Sequence, residues 1–401
     1  MKYISIEVKF QYFLPFTTMS IDERLANTQF SLPIIRQVNS TRHETAISLG
    51  LGELKDFPVD SQLLQAIEHV MKHGGTNYTD NAGLPELRRA IAEKQQNVDN
   101  FPYSAAHVVV TIGVQNALYA VIKTLVKLGA KRVLIPEINF GIYHKIPTDF
   151  GLEVITYPLT PDFGIDFESL FTILEPDDLL LINSPANPTG RVFTKTEQKQ
   201  LAEGLRRNLI RGYVISDEIY DALVYEGEPA TSFAAFFERT IVLNGISKGG
   251  AAAGLRVGWI ITRNEKLAQA FTSNNATVIS CPPTINQYAA IPVVKGETKQ
   301  SIADYNNILR KNRDLAAHYL TAQNIPFVKP TGSFYIFPEM GNKLRMSVTD
   351  FCLHAAKADN GVVVIPGEAF GAPNHMRISL ASNQMHEGMA RLVNFIGQAL
   401  K

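Results

Sequence analysis

Cysteine is nearly absent: Cys281 and Cys352 are the only two in 401 residues. That is too few for a disulfide framework or a cysteine-rich zinc site, and it matches the reducing conditions of the cytoplasm, where the chain is expected to reside. Charge of one sign is absent as well, because 38 Lys and Arg balance 38 Asp and Glu to a formal net charge of zero. Without a positive surplus the chain lacks the electrostatic footprint of a nucleic-acid or anionic-membrane partner. No apolar run reaches the roughly 18 residues of a spanning helix. The stretch from Met1 to Phe16 carries Glu7 and Lys9 inside its apolar pattern, so it lacks the uninterrupted apolar centre of a secretory signal. Three cofactor and metal signatures are missing too: a Gly-x-Gly-x-x-Gly opening a first βα turn, a Gly-Lys-Ser/Thr phosphate loop, and a His-Glu-x-x-His helix. Nine histidines are scattered without ligand spacing, so no metal site is expected.

What is present is the makeup of a folded chain, 45% hydrophobic and 19% charged. The length is two to three times the usual ~150-residue domain, so more than one core is expected. Short apolar segments alternate with amphipathic helical ones through the middle of the chain. Strands are predicted at Val108 to Thr111, Arg132 to Ile135, Glu153 to Tyr157, Leu179 to Ile182, Tyr213 to Ser216, Thr240 to Leu243 and Trp259 to Thr262, with a helix from about Gln115 to Leu128. This alternation predicts an α/β fold, with a large domain built on a mostly parallel sheet flanked by helices. After about Asp304 the pattern changes. A long polar helix is followed by strands at Phe334 to Phe337, Val362 to Ile365 and Met376 to Leu380 and by helices at Thr349 to Ala358 and the C-terminus, the texture of a smaller α+β domain. Residues 1–52 are read as an N-terminal arm and part of the small domain, with a strand from Ile47 to Gly52, residues 53–300 as the large domain and residues 301–401 as the small one.

Three strand ends carry chemistry. Lys248 follows Ser247 after the strand Thr240 to Leu243, with Gly249, Gly250 and Gly254 behind it and Arg256 eight residues on. An uncrowded lysine at a strand's carboxyl end can form a Schiff base with an aldehyde or carbonyl, and Arg256 can fork onto a phosphate. The plainer alternative is a solvated lysine in a glycine-rich loop. Asp217 directly follows an apolar strand and is either a ligand at the sheet's binding edge or a turn aspartate. Asn187 lies between two prolines in Asn183-Ser184-Pro185-Ala186-Asn187-Pro188-Thr189-Gly190, either an amide aimed by a stiff backbone or an ordinary Asn-Pro turn.

Taken jointly, these residues resemble the class I/II aminotransferases, the fold type I enzymes that use pyridoxal 5′-phosphate. Residues 183–190 are similar to the family string Asn-Pro-x-Asn-Pro-Thr-Gly with one extra residue, Ser216 to Tyr220 match Ser-Asp-Glu-Ile-Tyr, and residues 247–258 match Ser-Lys followed by Gly-x-Arg-x-Gly. The steps from Asn187 to Asp217 and from Asp217 to Lys248, 30 and 31 residues, also fit. The resemblance implies transfer of an amino group from an L-amino acid to a 2-oxo acid by a ping-pong mechanism. Lys248 would hold the cofactor covalently and move the proton, Asp217 would keep the pyridine nitrogen protonated, and Asn187 and Tyr220 would bind the phenolic oxygen. Gly113, Val114 and Gln115, where a strand breaks into a helix, would bind the phosphate with Ser247 and Arg256. Phe140 would stack on the ring. Arg377, in Met376-Arg377-Ile378-Ser379-Leu380, would grip the substrate α-carboxylate with help from Gly52 and Asn187. Tyr78 would reach the neighbouring site of a homodimer.

The match departs in two places. Glu53-Leu54-Lys55-Asp56-Phe57 is altered from the family's Glu-Pro-Asp-Phe and is longer by one, and Gly245 stands where many relatives carry a serine. The side-chain-poor loop Gly249 to Ala253 leaves room for a bulky substrate or is merely mobile. The same residues also permit a lyase, for example one catalysing C–S β-elimination, or an amino-acid oxidase; more remotely, they permit a regulator that binds the cofactor without turnover.

Overall fold

The computed structural model describes residues 33–341 and 343–400. Of the segment 1–52 expected to hold the arm, residues 1–32 lie outside the described residues, and Ile34–Ser40 is helical. A short strand β1 (Ile47–Ser48) comes next, then seven strands that form one sheet: β2 (Val108–Thr111), β3 (Arg132–Pro136), β4 (Glu153–Tyr157), β5 (Leu179–Asn183), β6 (Val214–Asp217), β7 (Thr240–Gly245) and β8 (Gly258–Thr262). Their spatial order is β2-β8-β7-β6-β5-β3-β4. The run from β4 to β7 is parallel, and β8 lies antiparallel between β7 and β2.

Burial explains why these segments become central strands. Every residue of β5, β6 and β7 is buried, as expected for parallel strands covered by helices on both faces. The helix Gly113–Lys127 packs Leu118, Val121, Ile122 and Leu125 against one face. Leu201, Ala202 and Leu205 of the helix Lys195–Arg207 pack into a separate core with Leu180 and Ile182 of β5. Parallel strands end on one edge, and the register aligns Asn183 of β5 with Asp217 of β6 and Asp217 with Leu243 of β7. That edge is where an open α/β sheet receives its ligand.

Four more strands follow: β9 (Tyr335–Ile336), β10 (Val362–Val363), β11 (Ile365–Pro366) and β12 (Met376–Ser379). β1 pairs in parallel with β10, while β11, β12 and β9 form an antiparallel sheet in that order. The segment before the large sheet therefore joins strands that come after it, and one core includes Ile47, Leu49, Phe334, Ile336, Val362, Ile378 and Leu392.

Several boundaries differ from the sequence reading. The expected strand Ile47 to Gly52 is registered with β10 only at Ile47 and Ser48. Leu49 still bonds to strands on both sides, its N–H to the Val363 carbonyl and its carbonyl to the Ser379 N–H, and beyond it the carbonyls of Gly50 and Gly52 serve the side chains of Arg377 and Lys248. Val362 to Ile365 divides in two, its first half pairing with β1 and its second with β12. The helix expected from Gln115 begins at Gly113, and the long helix expected after Asp304 begins at Lys299 and runs to Ala322.

Candidate active site

Asp217 is the last residue of β6, not the residue after it, and is only 3% exposed. Tyr143 Oη donates to its Oδ2 at 2.7 Å and the Ile219 N–H to its Oδ1 at 3.1 Å. Burial pushes the carboxyl up to about 6, against the pull of those two donors and of the Lys248 charge. The site thus holds a carboxylate that desolvation makes unusually basic and that a cationic partner would stabilise.

Lys248 rides on a single helical turn, Ile246–Gly249, set directly on the end of β7. Its Nζ donates to the Gly52 carbonyl and lies 5.6 Å from the Phe334 ring centre and 5.8 Å from that of Tyr220. Burial, followed by the positive charge of Arg377, lowers the amine to about 8; Glu53 and Asp217 oppose that shift. A lysine so placed has far more neutral, nucleophilic amine near neutrality than a surface one.

Arg377, on β12, is 2% exposed. Its Nη1 donates to Asn187 Oδ1 at 3.0 Å and its Nη2 to the Gly50 carbonyl at 2.9 Å, while Nε is buried with no partner. The guanidinium carbon lies 4.3 Å from the Tyr335 ring centre and 4.8 Å from that of Phe370. Asn187 is itself held by Asn183, whose Oδ1 accepts the Asn187 N–H at 2.9 Å and whose Nδ2 donates to the Asp217 carbonyl at 2.9 Å. Through Asn183 and Asn187, β5 connects the backbone carbonyl of Asp217 on β6 to the guanidinium of β12. Tyr220, also buried, meets Tyr335 hydroxyl to hydroxyl at 3.2 Å.

The helix at Gly113 opens a fourth wall. Gly113 has φ +71, and a Cβ there would lie 2.7 Å from Arg256 Nη2, so the absence of a side chain lets the guanidinium reach the helix start. Gly258 is equally constrained, since its Cβ would lie 2.8 Å from the Val114 nitrogen. No side chain caps this helix, leaving the first-turn amides of Val114 and Gln115 at an anion-attracting end beside an arginine. Ser247, next to Lys248, is buried. A side chain at Gly245 would meet the Val257 carbonyl at 2.6 Å, so the backbone here leaves no room for the serine that many relatives carry. The loop after Lys248 is tight, because Cβ atoms at Gly249 and Gly250 would come 3.0 Å from Ala222 Cβ and 2.9 Å from the Ile246 carbonyl. Its glycines reflect close packing.

The structure thus brings Lys248, Asp217, Asn187, Tyr220, Arg377 and Gly52 into one contact network and puts Gly113 against Arg256. Phe140 joins it through an edge contact to Tyr143, ring centres 6.1 Å apart. Tyr78 does not join: it is 90% exposed. Sequence reasoning missed the roles of Asn183, Tyr143, Tyr335, Phe370 and Gly50. Asn183 stood inside a string already singled out and Tyr143 only three residues after Phe140, whereas Tyr335 and Phe370 had no local signal. The donor set of a buried amine, a buried carboxylate, a tyrosine, an amide and an arginine at a helix start fits a phosphorylated pyridine aldehyde. Among the described residues no cluster of acidic, histidine or cysteine side chains could hold a metal, and no helix is long and apolar enough to cross a membrane.

Comparison with known proteins agrees with this geometry. The family "Aminotransferase class I and II" matches residues 44–396. A probable aspartate/prephenate aminotransferase of Aquifex aeolicus is 32% identical over 364 residues, 86% of this chain and 90% of the relative. Aromatic-amino-acid aminotransferase 2 of Thermococcus litoralis is 33% identical over 373 residues, 87% of this chain and 91% of the relative. Among solved structures, the aspartate aminotransferase of Thermus thermophilus with maleate superposes with a TM-score of 0.84 at 26% identity, covering 94% of this chain and 100% of that one. The aromatic aminotransferase of Pyrococcus horikoshii superposes with a TM-score of 0.80 at 29% identity, covering 91% and 99%.

Proposed function

The chain belongs to the class I and II aminotransferases, enzymes that pass an amino group from an amino acid to a 2-oxo acid, and on that premise we propose how its own residues divide the work. The cofactor of this family, pyridoxal 5′-phosphate, supplies an electron sink for the substrate carbon that loses its proton. Lys248 is the covalent anchor and, once released, the base and acid that moves that proton. Its lowered basicity supports this role, since a proton-transfer group works best with a pKa near the working pH. Asp217 pairs with the pyridine nitrogen, and its enforced burial supports this, because a cation there would relieve a costly desolvated charge. Asn187 and Tyr220 hold the phenolic oxygen. Gly113, Val114, Gln115, Ser247 and Arg256 hold the phosphate, and Phe140 covers the ring.

Arg377 binds the α-carboxylate of amino acid and 2-oxo acid alike. The observation that carries this is a guanidinium 2% exposed whose Nε has no partner and whose other arms rest on Asn187 and the Gly50 carbonyl. A buried donor left unmade is costly, and a carboxylate would satisfy it edge-on. The relatives named for their activity are aminotransferases, so a lyase, an oxidase or a silent cofactor-binding regulator is not favoured.

Residues 33–52 and 301–401 are assigned to the small domain and residues 53–300 to the large one. The chain works as a homodimer in the cytoplasm, with Tyr78, an outlying exposed aromatic, reaching the partner's phosphate. The experiment that tests the activity mixes enzyme, an amino acid and a 2-oxo acid. Stoichiometric exchange is the expected result, whereas pyruvate and ammonia formed without an acceptor would mark a lyase. A screen of the twenty amino acids by spectral conversion of the bound cofactor identifies the donor.

A further inference from the structure

Tyr335 touches the guanidinium of the carboxylate grip and the phenol beside it. It sits on β9 opposite Ser379, two residues along β12 from Arg377. Its ring lies 4.3 Å from the Arg377 guanidinium carbon, its hydroxyl is 3.2 Å from that of Tyr220, and its exposure is 1%. A Cβ on Gly52 would come 3.0 Å from the same hydroxyl, so the backbone whose carbonyl receives Lys248 passes close by. A flat cation is held by an aromatic face through the ring's quadrupole without consuming any N–H, which leaves the donors on its edge free for a ligand. A phenol hydroxyl is a free rotor until a partner fixes it. Tyr335 supplies both constraints from one rigid side chain, and its β9 backbone is tied to β12.

We infer that Tyr335 is a positioning residue: its ring sets the guanidinium plane of Arg377 for edge-on carboxylate binding, and its hydroxyl sets the hydroxyl of Tyr220 toward the cofactor. This rests on the roles proposed above for Arg377 and Tyr220. The two halves separate by substitution. Tyr335→Phe keeps the ring and removes the hydroxyl; Tyr335→Leu removes both.

The test uses two equilibrium titrations: pyridoxal 5′-phosphate into the cofactor-free protein, and 3-phenylpropionate, a carboxylate without an amino group, into the loaded one. Tyr335→Phe should bind 3-phenylpropionate within about twofold of the unaltered protein and lose about three- to tenfold in cofactor affinity, the scale of one hydrogen bond. That loss should vanish in a Tyr220→Phe background, because the hydroxyl acts only through Tyr220. Tyr335→Leu should lose at least about tenfold in 3-phenylpropionate affinity, the scale of a desolvated cation–π contact. A residue that merely fills the core would lower both affinities and the melting temperature, and its effect would add in full to that of Tyr220→Phe. That pattern, or a Phe variant with unchanged cofactor affinity, overturns the proposal; the Phe variant carries the test even where the Leu variant does not fold. If Tyr220→Phe and Arg377→Lys themselves bind both ligands normally, the roles of those two residues fall, and the positioning role with them.

Discussion

Tyr143 donates to Asp217 at 2.7 Å from a helix, Ile142–Asp149, that lies 74 residues earlier in the chain than the carboxylate it holds. The bond opposes the burial that raises Asp217 to about 6. Removing it in Tyr143→Phe should therefore raise that pKa further. In the cofactor-free protein the titration of this carboxyl, followed by its NMR or infrared signal, should move upward by about one unit in the variant. In the loaded protein a cation at the carboxylate opposes the burial, so the same substitution should be read there as weaker cofactor binding at pH 6.5 than at pH 9. Superimposable carboxyl titrations would reduce Tyr143 to a packing residue.

Asp217→Asn should cut turnover on the order of 10³-fold, the scale of losing charge stabilisation at a reacting centre. Stability should respond in the opposite sense. A carboxyl with a folded pKa near 6 and an ordinary value of 3.8 favours folding while protonated; that advantage is present below about pH 4 and lost as pH rises toward 6. The penalty above pH 6 is on the order of a few kcal/mol. Cofactor-free Asp217→Asn should therefore melt no lower than the unaltered protein at pH 8, and this relative advantage should shrink toward pH 4. A clear drop in melting temperature at pH 8 would mean the carboxylate is a net stabiliser.

Borohydride reduction of the loaded protein should bleach its visible absorbance and fix the cofactor to Lys248, read by digestion and mass spectrometry. The lowered amine at the end of β7 motivates this. A label on any other lysine removes the assignment.

For Arg377→Lys the charge remains but the planar fork is lost. The cofactor should still bind covalently. The specificity constant for amino acids and for 2-oxo acids should each fall by about a hundredfold or more, the scale of breaking a buried charge pair, while an amine lacking the carboxylate is affected far less. A variant that handles its best amino acid at the normal specificity constant makes Arg377 a structural strand residue.

Local chemistry alone determined the large sheet and half of the site. The runs Leu179–Asn183, Val214–Asp217 and Thr240–Gly245 are apolar throughout because parallel strands are buried on both faces, and each ends at a polar residue or glycine on one edge. Asn187, Asp217 and Lys248 were legible for that reason: a strand end is a position that the chain marks with its own composition. Gly113 was legible too, as a break between strand and helix, although its need to admit the Arg256 guanidinium was not. What only the tertiary structure decided lies between elements distant in sequence. Arg377 meets Asn187 across 190 residues and Gly50 across 327, and Tyr220 meets Tyr335 across 115. No periodicity encodes such pairs, since hydrophobic pattern fixes which face of an element is buried and not which partner it is buried against. The strand expected at Ile47 to Gly52 shows the limit most directly. Its residues favour extension, yet its backbone pairing stops after Leu49, and the carbonyls of Gly50 and Gly52 are taken instead by a guanidinium and an amine that the fold delivers from elsewhere.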